Sequence, residues 1–129
     1  MYNNNIHDIK TTSTSTGSVL YGIRIDVASG NVVNAYNNFI SGFSHAITSA
    51  STTMVVRGIG ANIAATTGTV NAYHNSIRIE VGAAATSTAL FTQSGTTNAV
   101  DNIFSNFSAA GATSKRYCIY VSSGTLNKS

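Results

Sequence analysis

The chain has 129 residues, of which 43% are hydrophobic and 9% charged, and it contains no proline and no tryptophan. This length suits one domain, and a composition rich in Val, Ile, Thr and Tyr between Ser, Asn and Gly excludes a disordered chain. The net charge is +3, but the basic residues are scattered, so no nucleic-acid partner is predicted. Neither a membrane span nor a signal peptide is predicted, because no apolar run approaches about 18 residues and no basic leader precedes one.

Three short patterns recur along the chain in the same order, which is typical of a repeat protein. The first pairs a small residue with an aliphatic one, at Gly22-Ile23, Gly58-Ile59, Ala89-Leu90 and Cys118-Ile119. The second is a phrase that opens on Gly30, Gly68, Gly95 and Gly124. It contains a set that we name the strand asparagines: Asn34, Asn71, Asn98 and Asn127. The third phrase centres on the bend asparagines: Asn4, Asn38, Asn75 and Asn102.

Each repeat therefore predicts three short strands, separated by a glycine turn and an asparagine bend and followed by a loop of small and polar residues. The segments are rich in Val, Ile and Tyr and lack the spacing of an amphipathic helix. The bend asparagines are 34, 37 and 27 residues apart. A closed propeller needs at least four blades of about 40 residues, which exceeds this chain. The sequence therefore predicts an all-β, single-stranded parallel β-helix.

A parallel β-helix gives the asparagines a physical role. Equivalent residues in successive coils lie about 4.8 Å apart, so each amide can donate to one copy of itself and accept from another. We therefore predict two asparagine ladders. Asparagine also tolerates the left-handed backbone of a sharp bend, and glycine does so at the other turn. Cys118 lies between apolar neighbours and is expected to be buried.

The phrases Tyr36-Asn37-Asn38-Phe39-Ile40 and Gly68-Thr69-Val70-Asn71-Ala72 resemble repeats of right-handed, pectate-lyase-like β-helices, and more closely those of large surface or secreted proteins of Bacteroidetes-type bacteria. The resemblance implies a right-handed solenoid of about four coils. They span approximately 1–30, beginning in mid-coil, then 31–68, 69–96 and 97–125, with 126–129 opening a further coil. It also implies an extracellular or cell-surface setting. Proteins of this group include lyases, hydrolases, adhesins and spacers, so it implies no particular activity.

Both ends of this repeat array are expected to lack a cap, which predicts association with copies of itself or with flanking coils of a longer chain. The leading hypothesis is a structural or adhesive solenoid that is not an enzyme. The alternative is a module that binds or cleaves a polysaccharide, as a lyase or a glycoside hydrolase.

Candidate site residues for that alternative lie beside the bend asparagines. His74 and Asp101 are weak catalytic candidates, and the column that they share with Asn37 is expected to face a ligand. Tyr36 and Tyr73 form an aromatic column that either stacks in the core or presents a face to sugar rings. No cofactor and no metal site are predicted, because only His74 of the three histidines lies in the column beside the bend asparagines, so the histidines do not share a site.

Overall fold

The structure, a computed structural model, describes residues 1–47, 52–63, 67–82, 84–109 and 111–129, and these contain strands, turns and loops but no helix. Parts of the predicted coils 31–68, 69–96 and 97–125 and of their loops lie outside the described residues. The strands are β1 (Asn5–Ile6), β2 (Ile9–Thr11), β3 (Leu20–Val27), β4 (Val32–Tyr36), β5 (Phe39–Ile40), β6 (Phe43–His45), β7 (Met54–Ile63), β8 (Thr69–Tyr73), β9 (Ser76–Ile79), β10 (Thr86–Thr92), β11 (Thr96–Val100), β12 (Ile103–Asn106), β13 (Arg116–Val121) and β14 (Thr125–Lys128).

These strands form three four-stranded parallel sheets whose members follow one another around a solenoid. The sheets are β3-β7-β10-β13, β4-β8-β11-β14 and β1-β5-β9-β12, and β2 pairs with β6 separately. Strands that are neighbours along the chain lie in different sheets, and the chain returns to the same sheet one level further on. The all-β, parallel and stacked architecture predicted from the repeats is therefore confirmed.

Equivalent residues lie in register from level to level, so the core consists of rows of mainly aliphatic side chains. The β3-β7-β10-β13 sheet contributes the row Ile23, Ile59, Leu90 and Ile119. The β4-β8-β11-β14 sheet contributes Val33, Val70, Thr97 and Leu126. The β1-β5-β9-β12 sheet contributes Ile6, Ile40, Ile77 and Phe104. Inner members of these rows are almost fully buried, whereas Ile6, Val33, Phe104, Ile119 and Leu126 at the two ends are only partly buried.

The small residues before the aliphatic row also point into the interior, which explains their size. A Cβ built on Gly58 would lie 2.5 Å from both the Ala89 carbonyl oxygen and Ile77 Cγ2. Cys118 continues this inward position, with its Sγ 3.4 Å from the Phe104 carbonyl oxygen. The expectation that Cys118 is buried is nevertheless wrong, because the thiol lies in the last strand of its sheet and no described strand covers it.

The turns correct two expectations about backbone conformation. Gly30, Gly95 and Gly124 have positive φ, as predicted, but Gly68 does not. A Cβ on Gly68 would instead lie 2.7 Å from Ile63 Cγ2, so close packing explains this glycine. The bend asparagines themselves are not left-handed. The residue before each one is, with φ between 51° and 55° at Asn3, Asn37, His74 and Asp101.

Candidate functional site

The bend asparagines form a continuous row of hydrogen-bonded amides along the stacking direction. Asn4 Nδ2 donates to Asn38 Oδ1 at 2.8 Å, and Asn38 Nδ2 donates to Asn75 Oδ1 at 2.8 Å. Asn75 Nδ2 continues the row with a 3.0 Å bond to Asn102 Oδ1. The predicted amide-to-amide bonds are present, and each of them is donated from an earlier coil to the next one.

The backbone fixes the direction of this row. The N–H of Asn38 donates to Asn75 Oδ1 at 3.2 Å, and the N–H of Asn75 donates to Asn102 Oδ1 at 2.8 Å. Asn75 Nδ2 also donates to the Ala35 carbonyl oxygen at 2.9 Å. Because Asn38 and Asn75 are each 1% exposed, their polar atoms depend on these bonds rather than on water. The bend asparagines therefore join the bends of successive levels through hydrogen bonds inside the molecule.

The strand asparagines form a second row, on the outer surface of the β4-β8-β11-β14 sheet, and their donors point the opposite way. Asn127 Nδ2 donates to Asn98 Oδ1 at 2.8 Å and Asn98 Nδ2 to Asn71 Oδ1 at 2.7 Å. Asn71 Nδ2 then donates to Asn34 Oδ1 at 2.8 Å. All four side chains are at least partly exposed, so water competes for their bonds.

The left-handed column places the candidate ligand-facing residues on the surface. Asn37, His74 and Asp101 are exposed, and His74 Nδ1 lies 3.9 Å from an Asp101 carboxylate oxygen. Left-handed backbone favours Asn, Asp and His, which accounts for the residue types in this column without a ligand. The structure thus brings His74 and Asp101 side by side, with both side chains more than half exposed.

The tyrosine column is at least partly exposed, and two of its rings stack on each other. The rings of Tyr2 and Tyr36 lie 5.0 Å apart with an interplanar angle of 3°. Tyr36 and Tyr73 are partly buried and lie opposite each other in the strand register. The ring face of Tyr36 that meets Tyr2 is therefore covered.

A cluster that sequence analysis missed lies on the outer surface of the β3-β7-β10-β13 sheet. The Arg57 guanidinium lies 3.6 Å from the Phe91 ring centroid and 5.3 Å from that of Tyr21. Phe91 stacks in turn on Tyr120, with centroids 5.9 Å apart. We name the row of Tyr21, Arg57, Phe91 and Tyr120 the axial stack. Gly60 makes room for it, because a Cβ on Gly60 would lie 2.4 Å from the Tyr21 ring. The stack joins one side chain from each strand of the sheet.

The charged side chain of Arg57 is partly buried among these aromatic rings. Desolvation by burial lowers its pKa, and a hydrogen bond from Nη1 to the Tyr21 hydroxyl at 2.8 Å partly offsets this effect. Nη1 also donates to Asn62 Oδ1 at 3.3 Å, whereas the buried Nε has no hydrogen-bond partner among the described residues. No described carboxylate forms an ion pair with Arg57, since Asp26 pairs with Arg24 instead.

An open depression of about 570 Å³ lies beside the axial stack. Its polar lining includes Arg57, Asp26, Asn62 and Gln93. Tyr21 is the aromatic side chain of this lining. Within the described ranges, no three His, Cys, Asp or Glu side chains gather as a metal site would require.

Comparison with known proteins gives no relative for this chain. No protein-family model, no curated protein and no solved structure matches it. In the described residues, no helix is long and apolar enough to cross a membrane.

Proposed function

We propose that this chain is a structural or adhesive element, a right-handed parallel β-helix of about four coils that forms part of a stiff rod. One observation carries the proposal. Two rows of amides and three mainly aliphatic rows run through every level, while five of the six end members of the mainly aliphatic rows are only partly buried. Right-handed winding is supported by the general rule that about 98% of crossovers between parallel strands of one sheet are right-handed.

The open ends support stacking on further coils, supplied by a second copy or by a longer chain. An uncovered end exposes unpaired strand edges and a cross-section of the core, which in a solenoid is normally capped. At one end Ile119 and Leu126 are partly exposed, although their counterparts Leu90 and Thr97 are fully buried. A further coil would remove that apolar surface from water. The extracellular or cell-surface setting, implied by the resemblance of the repeats, belongs to the same proposal.

Lys128 opposes stacking at the same end. It lies opposite Ala99 in the strand register, and Ala35 and Ala72 occupy the equivalent positions at earlier levels. A charged side chain in such a position blunts a strand edge. Its flexible stem can turn outward, so a stacked coil is disfavoured rather than excluded. The end that carries Lys128 is therefore expected to bind a further coil less readily than the other end.

The thiol of Cys118 provides the test. A coil stacked on this end would cover it, so we expect alkylation by iodoacetamide to slow at least about tenfold as protein concentration rises, with rods visible by negative-stain electron microscopy. Thr125→Cys in a Cys118→Ser background is the matched control, because residue 125 is exposed on the outer surface of the last strand. Constant Cys118 reactivity with a monomer at all concentrations would overturn stacking of copies, and addition of flanking coils would then be tested in the same assay.

A second candidate, glycan binding, is favoured by the depression beside the axial stack. Arg57, Asn62 and Gln93 offer donors and Asp26 offers an acceptor, a combination that suits sugar hydroxyls. Binding on a glycan array that is lost in Arg57→Met but kept in Asp101→Ala would support this site. The reverse pattern would favour the column of Asn37, His74 and Asp101. Absence of binding to any glycan would remove the candidate.

A further inference from the structure

The outer surface of the β1-β5-β9-β12 sheet is unusually apolar for an exposed surface. Phe39 is 49% exposed, Ile103 67% and Phe107, which directly follows β12, 66%. Phe39 and Ile103 flank the small residue Ser76 in the same register. We name this surface, from Phe39 across to Phe107, the β9 face. Exposed apolar groups gathered on one face are typical of an interaction surface rather than of scattered solvent contacts.

Two opposite charges lie at the centre of the β9 face. Arg78 Nη2 lies 2.8 Å from Glu80 Oε2, and both side chains are at least 60% exposed. The Arg78 guanidinium also lies 5.5 Å from the ring of Phe107. On the other side of the pair an open depression of about 500 Å³ is lined by Phe39, Ser41 and Gly42. The face therefore carries one positive and one negative group between apolar side chains.

The strand register makes these features self-complementary. Arg78 is level with Ser105, and Glu80 is level with Phe107, whose N–H donates to the Ile79 carbonyl oxygen at 2.8 Å. A two-fold axis parallel to the stacking direction can pass between two positions along these strands, that of Arg78 with Ser105 and that of Glu80 with Phe107. Rotation about this axis exchanges the two positions. It sets each Arg78 against Glu80 of the other copy and each Phe107 against the small Ser105 of the other copy. Such mutual matching is what an isologous interface requires.

We propose that the β9 face binds a second copy of this chain, so that two solenoids lie side by side and point the same way. The partner is identified by charge: an acidic or basic partner would set a like charge against either Glu80 or Arg78, whereas a second copy satisfies both. The exposed ring of Phe107 is covered by the other copy in the same step. This lateral pairing does not depend on the end stacking proposed above.

Charge reversal tests the pairing. In Arg78→Glu both central groups are negative, and in Glu80→Arg both are positive, so each variant alone sets like charges together twice. Sedimentation equilibrium of the full chain is expected to show a wild-type dimer and at least about a tenfold higher dissociation constant for each variant. An equimolar mixture of the two variants restores opposite charges and is expected to form a mixed dimer of wild-type affinity.

The chain offers a matched control on a different sheet. Arg24 and Asp26 have the same spacing and similar exposure, so Arg24→Glu and Asp26→Arg are expected to leave the dimer unchanged. End stacking would add larger species to all variants alike and would leave this comparison intact. A monomeric wild type, a mixture that stays monomeric, or an equal effect of the control variants would overturn the proposal. Phe107→Ser, which keeps both charges, is expected to weaken the dimer as well.

Discussion

Replacement of Asn75 by leucine is the sharpest test of the amide rows. Asn75 Oδ1 accepts two bonds from Asn38, one from the backbone N–H and one from Nδ2. Leucine removes this acceptor from a site that is 1% exposed, so water cannot replace it. Each buried donor left without a partner costs about 1–3 kcal/mol, which gives about 2–6 kcal/mol for the pair. For a chain of this size we expect the melting temperature to fall by about 8 °C or more.

Asn71→Leu is the matched control, because Asn71 has the same two amide neighbours in its own row, Asn34 and Asn98. It is partly exposed, so water takes over the lost bonds, and we expect a loss of no more than about 1 kcal/mol. Thermal and urea unfolding followed by circular dichroism measure both variants. Equal losses in the two variants, or a loss below about 1 kcal/mol in Asn75→Leu, would refute the reasoning.

Should Asn75→Leu fail to fold, hydrogen exchange on the wild-type chain still tests the same bond. The Asn38 N–H has a side-chain acceptor rather than a strand partner, yet we expect it to be as protected as the buried strand amides. Rapid exchange at Asn38, with protected neighbours in β4 and β8, would contradict the assigned bond.

Two further substitutions test the packing and the bend. Gly58→Ala is expected to cost about 1–3 kcal/mol, because the new Cβ meets the Ala89 carbonyl oxygen and Ile77, whereas Gly82→Ala has open space and should be neutral in the same urea titration. His74→Val is expected to lower the free energy of unfolding by about 1–2 kcal/mol, because φ is 54° at this position. His74→Asn should keep full stability. Equal stability of the two variants would argue against backbone strain as the reason for this residue.

The columns of identical residues made the fold readable from the sequence. Asn38, Asn75 and Asn102 recur at the same place in each repeat, and a parallel stack sets such residues directly above one another. The left-handed residue of each bend lies one position before the asparagine to which the sequence pattern points. The left-handed position is held by Asn37, His74 and Asp101, whose differing side chains hide a shared backbone requirement.

The axial stack escaped prediction because it follows no column. Tyr21 and Arg57 are level in the register, while Phe91 and Tyr120 are level with Gly60, three residues after Arg57. Arg57 leans across Gly60 to reach Phe91, a path that depends on side-chain direction rather than on spacing. The exposure of Cys118 was equally hidden, because it depends on what covers the last strand and not on its apolar neighbours.

The opposed directions of the two asparagine rows have an electrostatic consequence. An amide carries a dipole, and aligned dipoles add, as they do along an α-helix, where partial charges accumulate at the two ends. Here the Asn38 row donates toward the last coil and the Asn71 row donates toward the first, so their moments largely cancel. Each added level contributes one amide to each row. Lengthening the solenoid therefore adds almost no net dipole from these two rows of side-chain amides along the stacking direction.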